Sequence, residues 1–137
     1  MISVTELIQG HEELRLKPYF DTETKLTIGW GRNLTDNGIT KDEANMMFQR
    51  DLGTATRDIV TVFPNFWQFT ENRRLALLDA MFALGLPRFL GFRKMIGAIR
   101  SDSWKMAAEE MIDSHWHDHQ APARVEEDAA LLADGAQ

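Results

Sequence analysis

The chain has no cysteine, which excludes both a disulfide framework and thiol chemistry. Its fold must hold by packing alone, which suits a reducing compartment. Long apolar runs are missing too: no stretch approaches the roughly 18 consecutive apolar residues of a membrane span. There is no basic excess. Lys and Arg number 15 against 21 Asp and Glu, for a net charge of −6. Nothing resembles the basic stripe of a nucleic-acid binder, and Arg73-Arg74 and Arg93-Lys94 read as ordinary solvated helix faces. The opening MISVTELIQGHEELR lacks a basic n-region, a long apolar h-region and a small-residue cleavage site, so neither a leader nor a membrane anchor is expected.

What is present is a chain of 137 residues with an apolar fraction of 44%, enough for one domain with a real core. Its acidity is uneven. Residues 125–137 hold four of the 21 acids and no base, leaving 17 acids against 15 bases in residues 1–124. Ser3-Val-Thr-Glu6 is a capping-box pattern that opens a helix over about 3–11, and Thr40-Lys-Asp-Glu43 is a second that opens a longer helix over about 40–62, ended by Pro64. Between them, Tyr19-Phe20 and Leu26–Trp30 flank a polar turn and predict a hairpin. The alternation of Leu26, Ile28 and Trp30 predicts that these three are buried and that Thr27 points to the other face. Asn33–Gly38 reads as a loop. Further helices follow: one capped by Thr70 and apolar on several faces, one bearing Phe92–Ile99, one capped by Ser103, and one from about Pro122 to Leu132. The order predicts an α+β fold dominated by helix.

Residues 11–32, HEELRLKPYFDTETKLTIGWGR, crowd Glu12, Glu13, Asp21 and Glu23 around this hairpin. Spacing alone favours a solvated rim of surface acids. The alternative is a working pair: the chain reverses between Glu12 and Thr27, so a helix end and a hairpin can face each other. Cleavage of a glycosidic bond needs one carboxylic acid to protonate the leaving oxygen and a second carboxylate on the other face of the sugar. A hydroxyl beside the second group can hold the attacking water.

The run Glu12…Leu14-Arg15-Leu16-Lys17…Tyr19…Asp21-Thr22…Thr27-Ile28-Gly29…Gly31 resembles the active-site segment of the phage-type lysozymes, glycoside hydrolase family 24. The family's Glu-x8-Asp-x5-Thr spacing is met by Glu12, Asp21 and Thr27. Ile39–Ala44 resembles the start of that family's linking helix. Phe82…Gly85…Gly91-Phe92, Trp104…Ala107-Ala108 and Ser114-His-Trp116…Pro122-Ala-Arg124 follow its C-terminal lobe in order. The resemblance implies a two-lobed muramidase: a small antiparallel β lobe over about 13–39, a linking helix over about 40–62, and a helical lobe over about 65–133 with helix 3–11 packed on it. It implies Glu12 as general acid, Asp21 and Thr27 positioning water, and Gly31, Phe82 and Arg124 contacting substrate. It implies an inverting reaction, with carboxyl groups roughly 6.5–9.5 Å apart. The acid must keep its proton near neutral pH, so Glu12 calls for an apolar or crowded setting.

The same resemblance implies peptidoglycan glycan strands as substrate, no metal or other cofactor, and a monomer. It also implies accumulation in the host bacterial cytoplasm, with a separate holin-type pore giving access to the wall. Two other readings share the fold: a lytic transglycosylase on the same bond, and a non-enzymatic glycan-binding protein. The chain departs from the family at Arg32-Asn33, where a histidine often follows the second glycine, at Ala83, and in the acidic run Glu126-Glu127-Asp128. His115, His117 and His119 lack a companion set that would make them a metal site, and read as a polar loop around a buried Trp116. Trp30, Trp104 and Trp116 read as packed, and Trp67 lies in an aromatic cluster, Phe63–Phe69, best assigned to the core.

Overall fold

The computed structural model describes residues 1–134. The chain forms two compact units, one over residues 1–47 and one from Phe48 onward. Among the described residues, no helix is long and apolar enough to cross a membrane.

The first unit opens with α1 (Val4–His11), capped by the Ser3 hydroxyl, which accepts from the Glu6 N–H at 3.0 Å. α1 buries none of its residues. A three-stranded antiparallel sheet follows, β1 (Arg15–Phe20), β2 (Leu26–Gly29) and β3 (Arg32–Asn33), in the order β1-β2-β3. Tyr19 pairs with Thr27 and Phe20 with Leu26, but the register is irregular between Arg15 and Tyr19. Pro18 lies there, and proline has no N–H for the ladder. A single turn of helix, α2 (Leu34–Asn37), is capped by the Asn33 side chain.

The expected hairpin is therefore a three-stranded sheet, and the expected burial is inverted. Thr27 is the buried residue of β2, only 4% exposed, while Leu26 and Ile28 are half-buried and Trp30 is exposed. The reason lies in Gly29 and Gly31, with φ of +69° and +76°. These left-handed positions turn the chain at once into β3. Trp30 stands at the tip of that turn, not within a strand. β2 thus becomes the central strand, with Tyr19 opposite Thr27 on one side and Asn33 on the other.

α3 (Lys41–Val62) begins in the first unit and continues into the second. Its capping box is made in full: Thr40 Oγ1 accepts from the Glu43 N–H at 3.1 Å, and Glu43 Oε1 accepts from the Thr40 N–H at 2.9 Å.

The second unit holds the hydrophobic core. A 3-10 turn over Phe66–Gln68 leads to α4 (Glu71–Leu84), α5 (Leu86–Leu90), α6 (Arg93–Arg100), α7 (Trp104–Ile112), α8 (His115–His119) and α9 (Pro122–Asp134). α9 packs against α4, α7 and α8, and α6 packs against α7. The core is built on Ile59, Phe63, Phe66, Leu77, Met81, Phe89, Met95, Met111, Val125 and Leu132, all essentially inaccessible. The Phe63–Phe69 cluster belongs to it. Phe69 meets Phe63, Phe66 and Trp104 edge-on, with centroids 5.9, 6.0 and 4.9 Å away. Trp104 and Trp116 are buried as expected, but Trp67, at 59% exposure, is not.

Three expectations in this unit are corrected. Thr70 has the extended backbone of an N-cap but gives α4 no side-chain bond, and its hydroxyl is buried without a partner. Ser103 likewise makes no capping bond to α7. The histidine segment is a helix, not a loop, because Ser114 caps it: its hydroxyl donates to Met111 O and accepts from the His117 N–H.

Candidate active site

Glu12 is placed where α1 ends. Its backbone is extended, and its N–H donates to Ile8 O at 2.8 Å, closing the helix. Its carboxyl group lies directly against Gly31: a Cβ added there would stand 2.6 Å from Glu12 Oε2 and 2.9 Å from Cδ. Only glycine permits that approach, so the glycine turn that creates β3 also makes room for the acid. The crowded apolar setting expected for Glu12 is not found, since the residue is solvent-exposed.

Asp21 follows the last residue of β1. Its Oδ1 accepts from the N–H groups of Glu23 and Lys25 at 2.8 and 2.9 Å, an Asx-type turn that fixes the side chain by its own loop. These bonds use one carboxyl oxygen; Oδ2 is left for other work. Thr27 donates its hydroxyl to Lys25 O at 2.9 Å. Both flanking groups of Lys25, its N–H and its C=O, therefore tie Asp21 and Thr27 to one residue of backbone. With the hydroxyl proton committed, Thr27 Oγ1 can only accept from an incoming group.

Arg32, the departure nearest this segment, forms a two-pronged pair with Glu43 at 2.8 and 2.9 Å, and Nη1 also donates to Gly38 O at 3.2 Å. The guanidinium and the Thr40 N–H together pull the Glu43 carboxyl down to about 2. Glu43 thus caps α3 and anchors β3 at once. Its cap is legible in the sequence, as residues three apart; its ion pair is not. A groove of about 690 Å³ runs beside this anchor, lined by Gly29, Trp30, Gly31, Arg32, Ile39 and Met47.

The other candidates lie in the second unit. Phe82 is partly exposed and packs at 5.5 Å, centroid to centroid, on Phe48, itself half in solvent. Phe48 falls among the apolar positions of α3 at helical spacing; the structure makes it one half of an exposed aromatic pair. Arg124 is held by Asp79, with Nη2–Oδ1 at 2.6 Å and Nε–Oδ2 at 2.8 Å. The only mark of Asp79 in the sequence is its place as an acid amid the apolar residues of α4. Among the described residues, no group of three or more His, Asp or Glu is placed to hold a metal. His117 instead bridges Asp118 and Glu126 at 2.8 and 2.9 Å, while the His115 and His119 rings stack at 4.6 Å.

A profile of the phage lysozyme family matches residues 9–126, and so takes in the Glu12, Asp21 and Thr27 segment as well as Arg124. The chain belongs to the phage lysozyme family. It is 31% identical over 144 residues to the pre-baseplate central spike protein Gp5 of Enterobacteria phage T4, covering 85% of this chain but 25% of that protein. It therefore spans about a quarter of the spike protein's length. Two relatives in Dictyostelium discoideum match nearly end to end. "Probable T4-type lysozyme 1" is 25% identical, covering 97% of this chain and 95% of the relative. "Probable T4-type lysozyme 2" is also 25% identical, covering 89% and 88%. The helical α+β architecture with its small antiparallel sheet is that of the phage lysozyme family.

Proposed function

We propose that the chain is a muramidase that hydrolyses the β-1,4 bond between N-acetylmuramic acid and N-acetylglucosamine in peptidoglycan. Glu12 protonates the leaving oxygen. Asp21, through Oδ2, takes the proton of a water that Thr27 holds, and the attack inverts the anomeric carbon. Gly31 leaves space for the acid, and Phe82 and Arg124 contact the glycan. The observation that supports this reading is the shared anchoring of Asp21 and Thr27 on Lys25, which ties the carboxylate and the hydroxyl to one residue of backbone just before β2. Exposed Glu12 gains its desolvation from the sugar that covers it. Delivery belongs to the same reading: the enzyme accumulates in the cytoplasm of a bacterial host and reaches the wall through a separate pore.

Digestion of purified peptidoglycan with mass-resolved products tests the chemistry. A hydrated reducing end is expected, and an anhydro sugar would assign the chain to the transglycosylases instead. Glu12→Gln and Asp21→Asn should each lower turnover by about 10²-fold or more, the scale of lost acid–base catalysis. Full activity in Glu12→Gln would sink the assignment of the acid. Saturable glycan binding with no turnover in the unaltered chain would leave a glycan-binding protein.

A further inference from the structure

Beneath Arg124 the charges do not balance. Its Nε and Nη2 both donate to the carboxyl of Asp79 of α4. One helical turn along α9, at i+4 and so on the same face, lies Asp128, 4% exposed, with Oδ2 lacking any hydrogen-bond partner. Its carboxyl is within reach of a hydrogen bond to the carboxyl of Asp79. Two carboxyl groups thus face one guanidinium: Asp128 is closed to water, whereas the Asp79 and Arg124 side chains are partly exposed. Were both ionised, Asp128 would be a buried charge whose Oδ2 has no donor, set against a second acceptor. A single proton removes both faults, because a protonated Asp128 donates to Asp79.

We propose that Asp79 and Asp128 share one proton beneath Arg124, and that this proton latches α9 to α4. The groups facing α9 from each neighbour are consistent with the latch. From α4 comes Asp79, whose carboxyl is held low by Arg124 and by Asp128. From α9 itself, Arg124 opposes and Glu127 reinforces the retention of the proton on Asp128. α7 presents Lys105 and Glu109 to the groove floored by Ala129, Ala130 and Ala133. α8 presents His117, which clamps Glu126. Burial, with Asp79 beside it, pushes Asp128 up to about 8.

The sign follows from linkage. Asp128 is raised above its unfolded value, so its contribution is full below about pH 4 and is lost as pH rises through about 8. Asp79 is lowered, so its contribution is present above the unfolded value and lost only as acid protonates it. His117 is raised by Asp118 and Glu126, so its clamp also weakens on the alkaline side. The latch is therefore closed in mild acid and opens in mild alkali.

Urea unfolding of the full chain from about pH 5 to about pH 9 tests this. One proton released with the latch predicts an unfolding constant that rises by up to about tenfold per pH unit within that window. Asp128→Asn, which keeps a donor toward Asp79, should remove most of that slope. His117→Gln in both backgrounds separates the α8 clamp, which the latch does not need. Parallel profiles for the unaltered chain and Asp128→Asn would overturn the proposal. Infrared titration of the unaltered chain decides the matter even if the variant does not fold. A carboxylic-acid band persisting at neutral pH and lost near pH 8 supports the shared proton, and its absence at neutral pH refutes it. Neither readout depends on muramidase activity.

Discussion

Gly31 is the residue on which the fold and the proposed chemistry meet most closely. Its φ of +76° turns the chain into β3, and its missing Cβ admits the carboxyl group of Glu12. Gly31→Ala should therefore fail twice. The left-handed backbone costs an alanine roughly 1–2 kcal/mol. The new methyl also lies within 3 Å of the flexible end of Glu12 and would push that carboxyl aside. Because a displaced acid harms the transition state more than ground-state binding, turnover should fall by about tenfold or more with little change in KM. Steady-state kinetics on soluble muropeptide chains, alongside urea unfolding, separates the two effects. Gly53, inside α3 with nothing within 4 Å of an added Cβ, is the control: Gly53→Ala should stabilise by about 0.5–1 kcal/mol and leave turnover unchanged.

At the scale of elements, α4 shows how far pattern carries. It is apolar on more than one face, so it reads as the central buried helix. The structure buries Ala76, Leu77, Ala80, Met81 and Leu84 but leaves Leu75 half exposed. Leu77→Ala should cost about 2–5 kcal/mol, with the cavity adding to the lost burial, whereas Leu75→Ala should cost about 1 kcal/mol or less. Equal losses in urea melts would place Leu75 in the core after all.

What could be read in advance was local. The capping boxes at Ser3 and Thr40 each involve residues three apart, and α3 ends just before Pro64 for a reason confined to the chain. The segment holding Glu12, Asp21 and Thr27 stood out through its resemblance, not its spacing. What escaped was tertiary. The pair of Arg32 with Glu43 bridges 11 residues, and the anchoring on Lys25 is made by backbone groups that every residue carries. Asp128 left a trace: Val125, Asp128, Ala129 and Leu132 fall at i, i+3, i+4 and i+7, so it sits on the buried stripe of α9. An acid on an apolar stripe signals a specific partner, although sequence could not say that the partner is another acid.

For the molecule as a whole, the acidic C-terminal segment changes meaning once folded. As composition it is a run of acids without bases; through Asp134 it forms most of α9, packed on α4 and α7. Glu126 is engaged by His117, Asp128 is buried, and Asp134 accepts from Asn72 at 3.2 Å. The net charge of −6 remains, however, and acts at long range. Approach to an anionic polymer should therefore be slowed at low ionic strength, where charges are felt across about 30 Å, and freed near 0.15 M, where the screening length is about 8 Å. The proposed activity on intact wall fragments should rise several-fold between those conditions and then level off. A neutral soluble oligosaccharide, which feels no such field, should be cleaved at a rate independent of salt. Glu127→Lys reverses one charge on the exposed side of α9, taking the net charge from −6 to about −4, and should shift the wall-fragment curve toward lower salt. Clearing rates that fall steadily as salt is added would show that attraction, through basic groups such as Arg88, Arg93 and Lys94, which share one cavity of the helical unit with Glu110 and Asp113, outweighs the net charge.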